Sequence, residues 1–178
     1  MMAVFEHTDI HAGNKMIKSA YVVCAKAAAS IIRMIYRAML FAPQEKRITF
    51  MSRQTFRPLD FVLLETVLKK RFPRYEISWA CVNKSGNLTV SILLKQIAMV
   101  ATSELVITDG YIPAVSICSG LHRAKCIQIW HALGAIKKFG KQSLDTPAGR
   151  DRKISETLKM HEGYDRLIGG FPGAKSAF

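Results

Sequence analysis

The sequence predicts an α/β protein: a Rossmann-like parallel sheet with flanking helices, preceded by an amphipathic basic helix. Three observations predict it. From residue 46 onward short apolar runs alternate with amphipathic stretches, the strand–helix–strand order that builds a parallel sheet with helices on both faces. Apolar residues make up 49% of the 178, enough to bury a real core. Residues 14–40 have helical periodicity and lie in a stretch, Asp9 to Glu45, with no acidic residue inside it.

The elements follow in order. Residues 1–13 are a loose end, and 14–40 form one helix. A boundary falls at Ala42-Pro43-Gln44-Glu45-Lys46, dividing an N-terminal segment, 1–45, from a domain over 46–178. RITFMS (47–52) is a strand. Pro58 to Arg71 is a helix whose apolar positions Leu59, Val62, Leu63, Val67 and Leu68 lie near helical spacing. YEISWACV (75–82) is a strand, and Asn83 to Asn87 a turn. Thr89 to Ala101 is mixed: its apolar content suits a helix, whereas Thr89-Val90-Ser91-Ile92 suits an extended segment. LVITD (105–109) and AKCIQIW (124–130) are strands, 145–160 a loop plus a helix, and 165–170 a last short strand.

Lys and Arg number 26 against 13 Asp and Glu, a formal charge of +13, which points to an anionic partner such as lipid headgroups, nucleic acid or a phosphate-rich substrate. No run of 18 uncharged apolar residues argues for a transmembrane helix. The N-terminal stretch carries acids and lacks the apolar segment of a secretory signal. Cys24, Cys81, Cys118 and Cys126 lie far apart with no CxxC, so a zinc ribbon or redox pair is not expected; buried, reduced thiols are. Walker A, GxGxxG, GxSxG and HExxH patterns are all absent. The lack of acidic ligand clusters argues against a tightly held metal and leaves a weakly bound divalent ion open.

At 100° per residue Lys15, Lys18, Lys26, Arg33 and Arg37 fall within an arc of about 100°, with apolar residues around the rest. Such a helix suits an anionic bilayer interface, where each basic residue contributes on the order of 1 kcal/mol. The alternative is a helix packed on its own domain with a solvated basic stripe. The other candidate is His131, which follows the strand ending at Trp130 and so falls on the edge where parallel sheets bind ligands. Its imidazole has the pKa of a general base. Ala132, Gly134 and Ala135 permit close approach, and Lys137 and Lys138 can attract an anion. A structural histidine is the competing reading.

WHALGAIKKFG (130–140) resembles the WHA-x-G-A-x-K segment of the CDP-glycerol glycerophosphotransferase family, the teichoic-acid primases and polymerases. RITFMSRQTFRPLDFVLLETVLKKRFP (47–73) resembles that family's first strand, SRQ loop and helix. ELVITDGYIP (104–113) and HEGYDRLIGGFPGAKSAF (161–178) resemble two further segments, in the same order. The resemblance implies the N-terminal half of a GT-B fold, its acceptor side, with the donor domain beyond Phe178 and the chain inactive by itself. It implies that His131 deprotonates a hydroxyl of a lipid-linked glycerophosphate acceptor, which attacks CDP-glycerol and releases CMP. Ser52, Arg53, Gln54, Gly134 and Lys137 then bind substrate, and Asp109 orients His131 or caps a turn. The location implied is the cytoplasmic face of the membrane, peripherally attached to an anionic surface. Three alternatives stay open: transfer of ribitol phosphate, a plain glycosyltransferase on the same fold, and a non-catalytic basic module on membrane or nucleic acid. No nucleic-acid-binding motif supports the last as a nucleic-acid binder.

Overall fold

The computed structural model describes residues 15–82, 87–130, 140–147 and 149–169, with side chains from residue 19 onward. The order is α1 (Lys15–Met39), β1 (Glu45–Ser52), α2 (Leu59–Arg71), β2 (Glu76–Cys81), α3 (Val90–Thr102), β3 (Ser103–Thr108), α4 (Pro113–Ile117), β4 (Lys125–Ile129), a 3-10 turn (Gly140–Ser143), α5 (Arg152–Thr157) and β5 (Arg166–Ile168).

The five strands form one sheet in the order β2-β1-β3-β4-β5, and every pairing is parallel. The expected α/β class is therefore observed. β1 is an interior strand, and five consecutive residues, Ile48 to Ser52, are buried, as a strand covered on both faces requires. Its side chains alternate between two cores. Ile48 and Phe50 join Phe61 of α2, with Trp79 of β2 stacked on Phe50 at 4.7 Å between ring centres. Met51 joins the larger core formed with α1, α3, α4 and α5. A buried hydroxyl pair, Thr49 to Ser103 at 2.7 Å, ties β1 to the start of β3.

α1 enters this larger core through Ala25, Ala29, Ile32 and Tyr36, spaced four, three and four apart along one face. The alanines let neighbouring helices approach closely. Tyr36 and Ile32 supply apolar burial of roughly 1.5–3 kcal/mol each. The core thus crosses the boundary expected at residue 45. Arg33 donates to the carbonyl oxygens of Ile117 (2.8 Å) and Ser119 (3.3 Å), fastening α1 to the end of α4. Arg33 was expected in a stripe turned to a membrane; it is instead half-buried and engaged within the fold. Lys26 and Arg37 are exposed, while the side chains of Lys15 and Lys18 lie outside the described residues. The outward face of α1 is apolar: Val23, Ile31 and Met34 are all more than half exposed and fall within about 80° of arc. By length and composition Ser19–Met39 is long and apolar enough to cross a membrane, a property missed because Lys26, Arg33 and Arg37 interrupt the run.

The two readings of 89–101 are resolved in favour of helix. The Thr89 side chain caps α3 by accepting from the Ile92 amide (3.3 Å), so Val90 to Ile92 are helical and not extended. The apolar positions expected of α2 are buried only in part. Leu68 meets the sheet, beside Phe61 and Leu64, while Leu59, Leu63 and Val67 are 73%, 61% and 56% exposed. α4 was not anticipated, because five residues are too few to show a period; Pro113 starts it at a position that needs no amide hydrogen. Cys118 and Cys126 are buried as expected and all four thiols are free, but Cys24 is exposed on α1.

Candidate functional site

In this strand order β1 is the turning point. The chain leaves it for β2 through α2 on one face, and returns to β3 through α3 on the other. The loops after β1 and β3 therefore part at their carboxyl ends and leave a crevice, the position where open α/β sheets bind ligands. The expected residues Ser52, Arg53, Gln54 and Asp109 stand there.

Ser52 ends β1 and is fully buried; Asp109 follows β3 and is 7% exposed. The Ser52 hydroxyl donates to Asp109 Oδ2 and accepts from the Gln54 amide at 2.9 Å. The Arg53 amide donates to Asp109 Oδ1 at 3.2 Å. One carboxylate thus holds the first turn of the SRQ loop across the sheet. Asp109 fixes the neighbouring loop, a role the sequence did not suggest; its other expected partner, His131, lies outside the described residues. With their backbones held, Arg53 and Gln54 expose their side chains at the edge. The Arg53 stem passes over Gly110, where a Cβ would lie 3.5 Å from its Cδ.

A group of residues that sequence reasoning did not select surrounds this clamp. Tyr111 continues from Gly110 and is buried; its ring centre lies 6.0 Å from that of His161. Burial pushes the Tyr111 hydroxyl up, and the guanidiniums of Arg150 and Arg53 act against that rise. Burial lowers the His161 pKa to about 4, with Lys141, Arg53 and Arg150 adding to the fall. Two connections, β1–α2 and β4–α5, therefore deliver Arg53, Lys141 and Arg150 to one locality, and a neutral imidazole sits among them. Deeper, the Thr108 hydroxyl and both polar atoms of the Gln128 amide are buried without a hydrogen-bond partner among the described residues. Thr108 and Gln128 pair across β3 and β4 at their carboxyl ends. The available signal was their polarity at the ends of apolar strands, in VIT and CIQI. Tyr111, Arg150 and His161 gave none.

Trp130 leaves the carboxyl end of β4, its amide donating to the Ile168 carbonyl at 2.7 Å. His131, Gly134 and Lys137 come next and lie outside the described residues. Among the described residues no three His, Cys, Asp or Glu side chains gather as metal ligands.

Fold and edge together define a parallel α/β domain with a clamped Ser52–Gln54 loop and a cationic surround at its switch point. In sequence the chain is similar to the teichoic acid glycerol-phosphate primase of Bacillus subtilis (strain 168), 33% identical over 78 residues, which cover 44% of this chain and 20% of that protein. It is 29% identical over 103 residues to the teichoic acid glycerol-phosphate primase of Bacillus spizizenii (strain ATCC 23059 / NRRL B-14472 / W23), covering 58% and 26%. It is 31% identical over 78 residues to the teichoic acid ribitol-phosphate primase of that strain, covering 44% and 20%. The similarity thus spans about a fifth to a quarter of the length of these relatives. It is consistent with the CDP-glycerol glycerophosphotransferase family of teichoic-acid primases and polymerases that the motifs resemble. No family model matches the chain.

Proposed function

We propose that this chain is the acceptor-side part of a glycerophosphotransferase of teichoic-acid synthesis, the N-terminal half of a GT-B fold that works with a donor-binding domain. The observation that carries the reading is the Asp109 clamp on the Ser52–Gln54 loop at the switch point, beside Arg53, Lys141 and Arg150. A fixed, cationic loop suits a phosphate-bearing acceptor, because its ordering cost is met during folding and not during binding.

In this reading His131 takes the proton from the terminal hydroxyl of a lipid-linked glycerophosphate. The freed oxygen bonds to the β-phosphorus of CDP-glycerol, the bond from that phosphorus to the bridging oxygen breaks, and CMP leaves. Arg53, Gln54 and Lys137 hold acceptor phosphates, and Gly134 lets the substrate approach the backbone. Positioning and charge supply most of the acceleration. In the same reading the domain lies peripherally on the cytoplasmic face of the membrane, and the apolar outward face of α1, bordered by Lys26 and Arg37, supports it.

The test replaces the matched segment of the Bacillus subtilis primase with this chain and measures CMP released from CDP-glycerol on a lipid glycerophosphate. His131→Ala is expected to lower the rate on the order of 10²- to 10⁴-fold, the range for a lost general base. An unchanged rate would remove His131 from the mechanism. CDP-ribitol run in parallel decides the polyol, a choice kept open by similarity to a ribitol-phosphate primase. Co-sedimentation with anionic vesicles tests the membrane part. Val23→Glu with Met34→Glu, both exposed, is expected to abolish it.

A further inference from the structure

A cavity of about 320 Å³ lies between α1, α3 and the segment that begins at Tyr111. Its walls are aliphatic, with Ile32 and Ile35 from α1, Leu93 and Ile97 from α3, and Ile112 and Ile117 beyond β3. The volume is about twice that of an engineered ~150 Å³ apolar cavity that takes a benzene. Gln96, Asn87 and Tyr111 stand among these apolar residues in the lining.

The lining holds charge as well as hydrocarbon: it includes Arg53 and Arg150, whose charges both act on Tyr111. It also includes Ile31, Val90 and Leu94, which are 53%, 57% and 37% exposed. Ile31 also belongs to the exposed apolar stripe of α1 with Val23 and Met34. The apolar surface thus runs from the outside of α1, through the cavity, to a pair of guanidiniums.

We infer that this cavity binds one hydrocarbon chain carrying an anionic headgroup, drawn from a membrane. The chain lies between α1 and α3, and the head meets Arg53 and Arg150. Two guanidiniums beside mainly aliphatic walls fit an amphiphile. The inference shares Arg53 with the phosphotransfer reading, but binding alone reports on it, so either can fail without the other.

The probe is dodecyl phosphate below its micelle concentration, titrated calorimetrically into the purified chain. Dodecyl maltoside (the same hydrocarbon chain on a neutral head) and inorganic phosphate are the comparisons. Saturable one-to-one binding of dodecyl phosphate is expected, at least tenfold tighter than either comparison. Ala28→Phe, which fills the cavity from its half-buried wall, is expected to weaken dodecyl phosphate at least tenfold. Arg150→Gln should weaken dodecyl phosphate but leave dodecyl maltoside unchanged. Ile31→Asn, at an exposed rim position, replaces Ala28→Phe if that variant fails to fold. Neutral phosphatidylcholine vesicles doped with dodecyl phosphate should retain wild-type protein and release the cavity variant. Equal affinity for the two surfactants overturns the anionic head. Unsaturable binding, or indifference to both the cavity and the Arg150 variants, overturns the site.

Discussion

Replacing Asp109 by Ala tests the clamp at the switch point. The buried carboxylate accepts from the Ser52 hydroxyl and the Arg53 amide. A hydrogen bond to a charged group contributes about 1.5–3 kcal/mol net. Ser52 is fully buried, so its hydroxyl has no water to turn to when the acceptor goes. Two such bonds, with partial relaxation of the exposed Arg53 end, give an expected loss of about 3–4 kcal/mol. Asn keeps one acceptor and the shape but turns an amide nitrogen on one donor, so about 1–2 kcal/mol is expected for Asp109→Asn. Urea unfolding followed by far-ultraviolet circular dichroism reads both values. The midpoint should fall in the order wild type, Asn, Ala with an unchanged denaturant slope, since the buried area is nearly the same. An Ala variant within about 0.5 kcal/mol of wild type would refute the reasoning, because losses that small are ordinary at surface sites.

Three further outcomes are expected. Arg33→Ala removes two bonds that hold α1 to Ile117 and Ser119, and should cost about 1–2 kcal/mol at this half-buried position and hasten tryptic cleavage within α1. Gly163 has φ +88°, and a Cβ there would come within 2.9 Å of His122 Cε1 and 3.0 Å of the Val115 carbonyl oxygen; Gly163→Ala should cost about 1–3 kcal/mol by thermal unfolding. His161 is depressed from 6.5 to about 4, so between those values the unfolded chain binds a proton that the folded chain refuses. The stability it contributes is therefore whole above pH 6.5 and lost as pH falls through 4, by roughly 3 kcal/mol in all. His161→Asn, which tolerates the residue's positive φ of 61°, should flatten that part of the pH–stability curve; an unchanged slope would show that other groups set it.

The sheet was readable because each strand is a compact apolar run between punctuating residues, and the alternation with helices left a parallel arrangement as the simplest product. Boundaries moved by a residue or two, as at β1, which begins at Glu45 because Arg47 ion-pairs with Glu45 and Glu76 at the sheet's amino edge. α4 was invisible, since one helical turn has no period. The site was half legible. Ser52, Arg53 and Gln54 follow a strand, and position relative to a strand end is a sequence property. Asp109 could be chosen for the same reason, but its partner could not: 57 residues separate it from Ser52, and only strand order brings them together. Tyr111, Arg150 and His161 converge from separate loops, and the linear pattern holds no trace of that meeting. On α1, periodicity located a basic stripe but not which arc would turn inward; the choice depended on close approach, favouring Ala25 and Ala29 over bulkier neighbours.

α2 poses a problem of folding as well as of function. Apolar side chains ring almost its whole circumference, so hydrophobicity alone does not say which side should meet the sheet. A half-turn about its axis would bury Leu59, Leu63 and Val67 in place of Leu64 and Leu68, an exchange nearly even in aliphatic area. What separates the two dockings is the Phe61 ring, 5.1 Å from Phe50, and Glu65, which reaches from its buried position to Lys69 at 2.8 Å. Such near-degeneracy is local frustration in the energy landscape. The choice of side thus rests on Phe61 and Glu65, and the aromatic surface that the correct docking covers is that of Phe50 and Trp79.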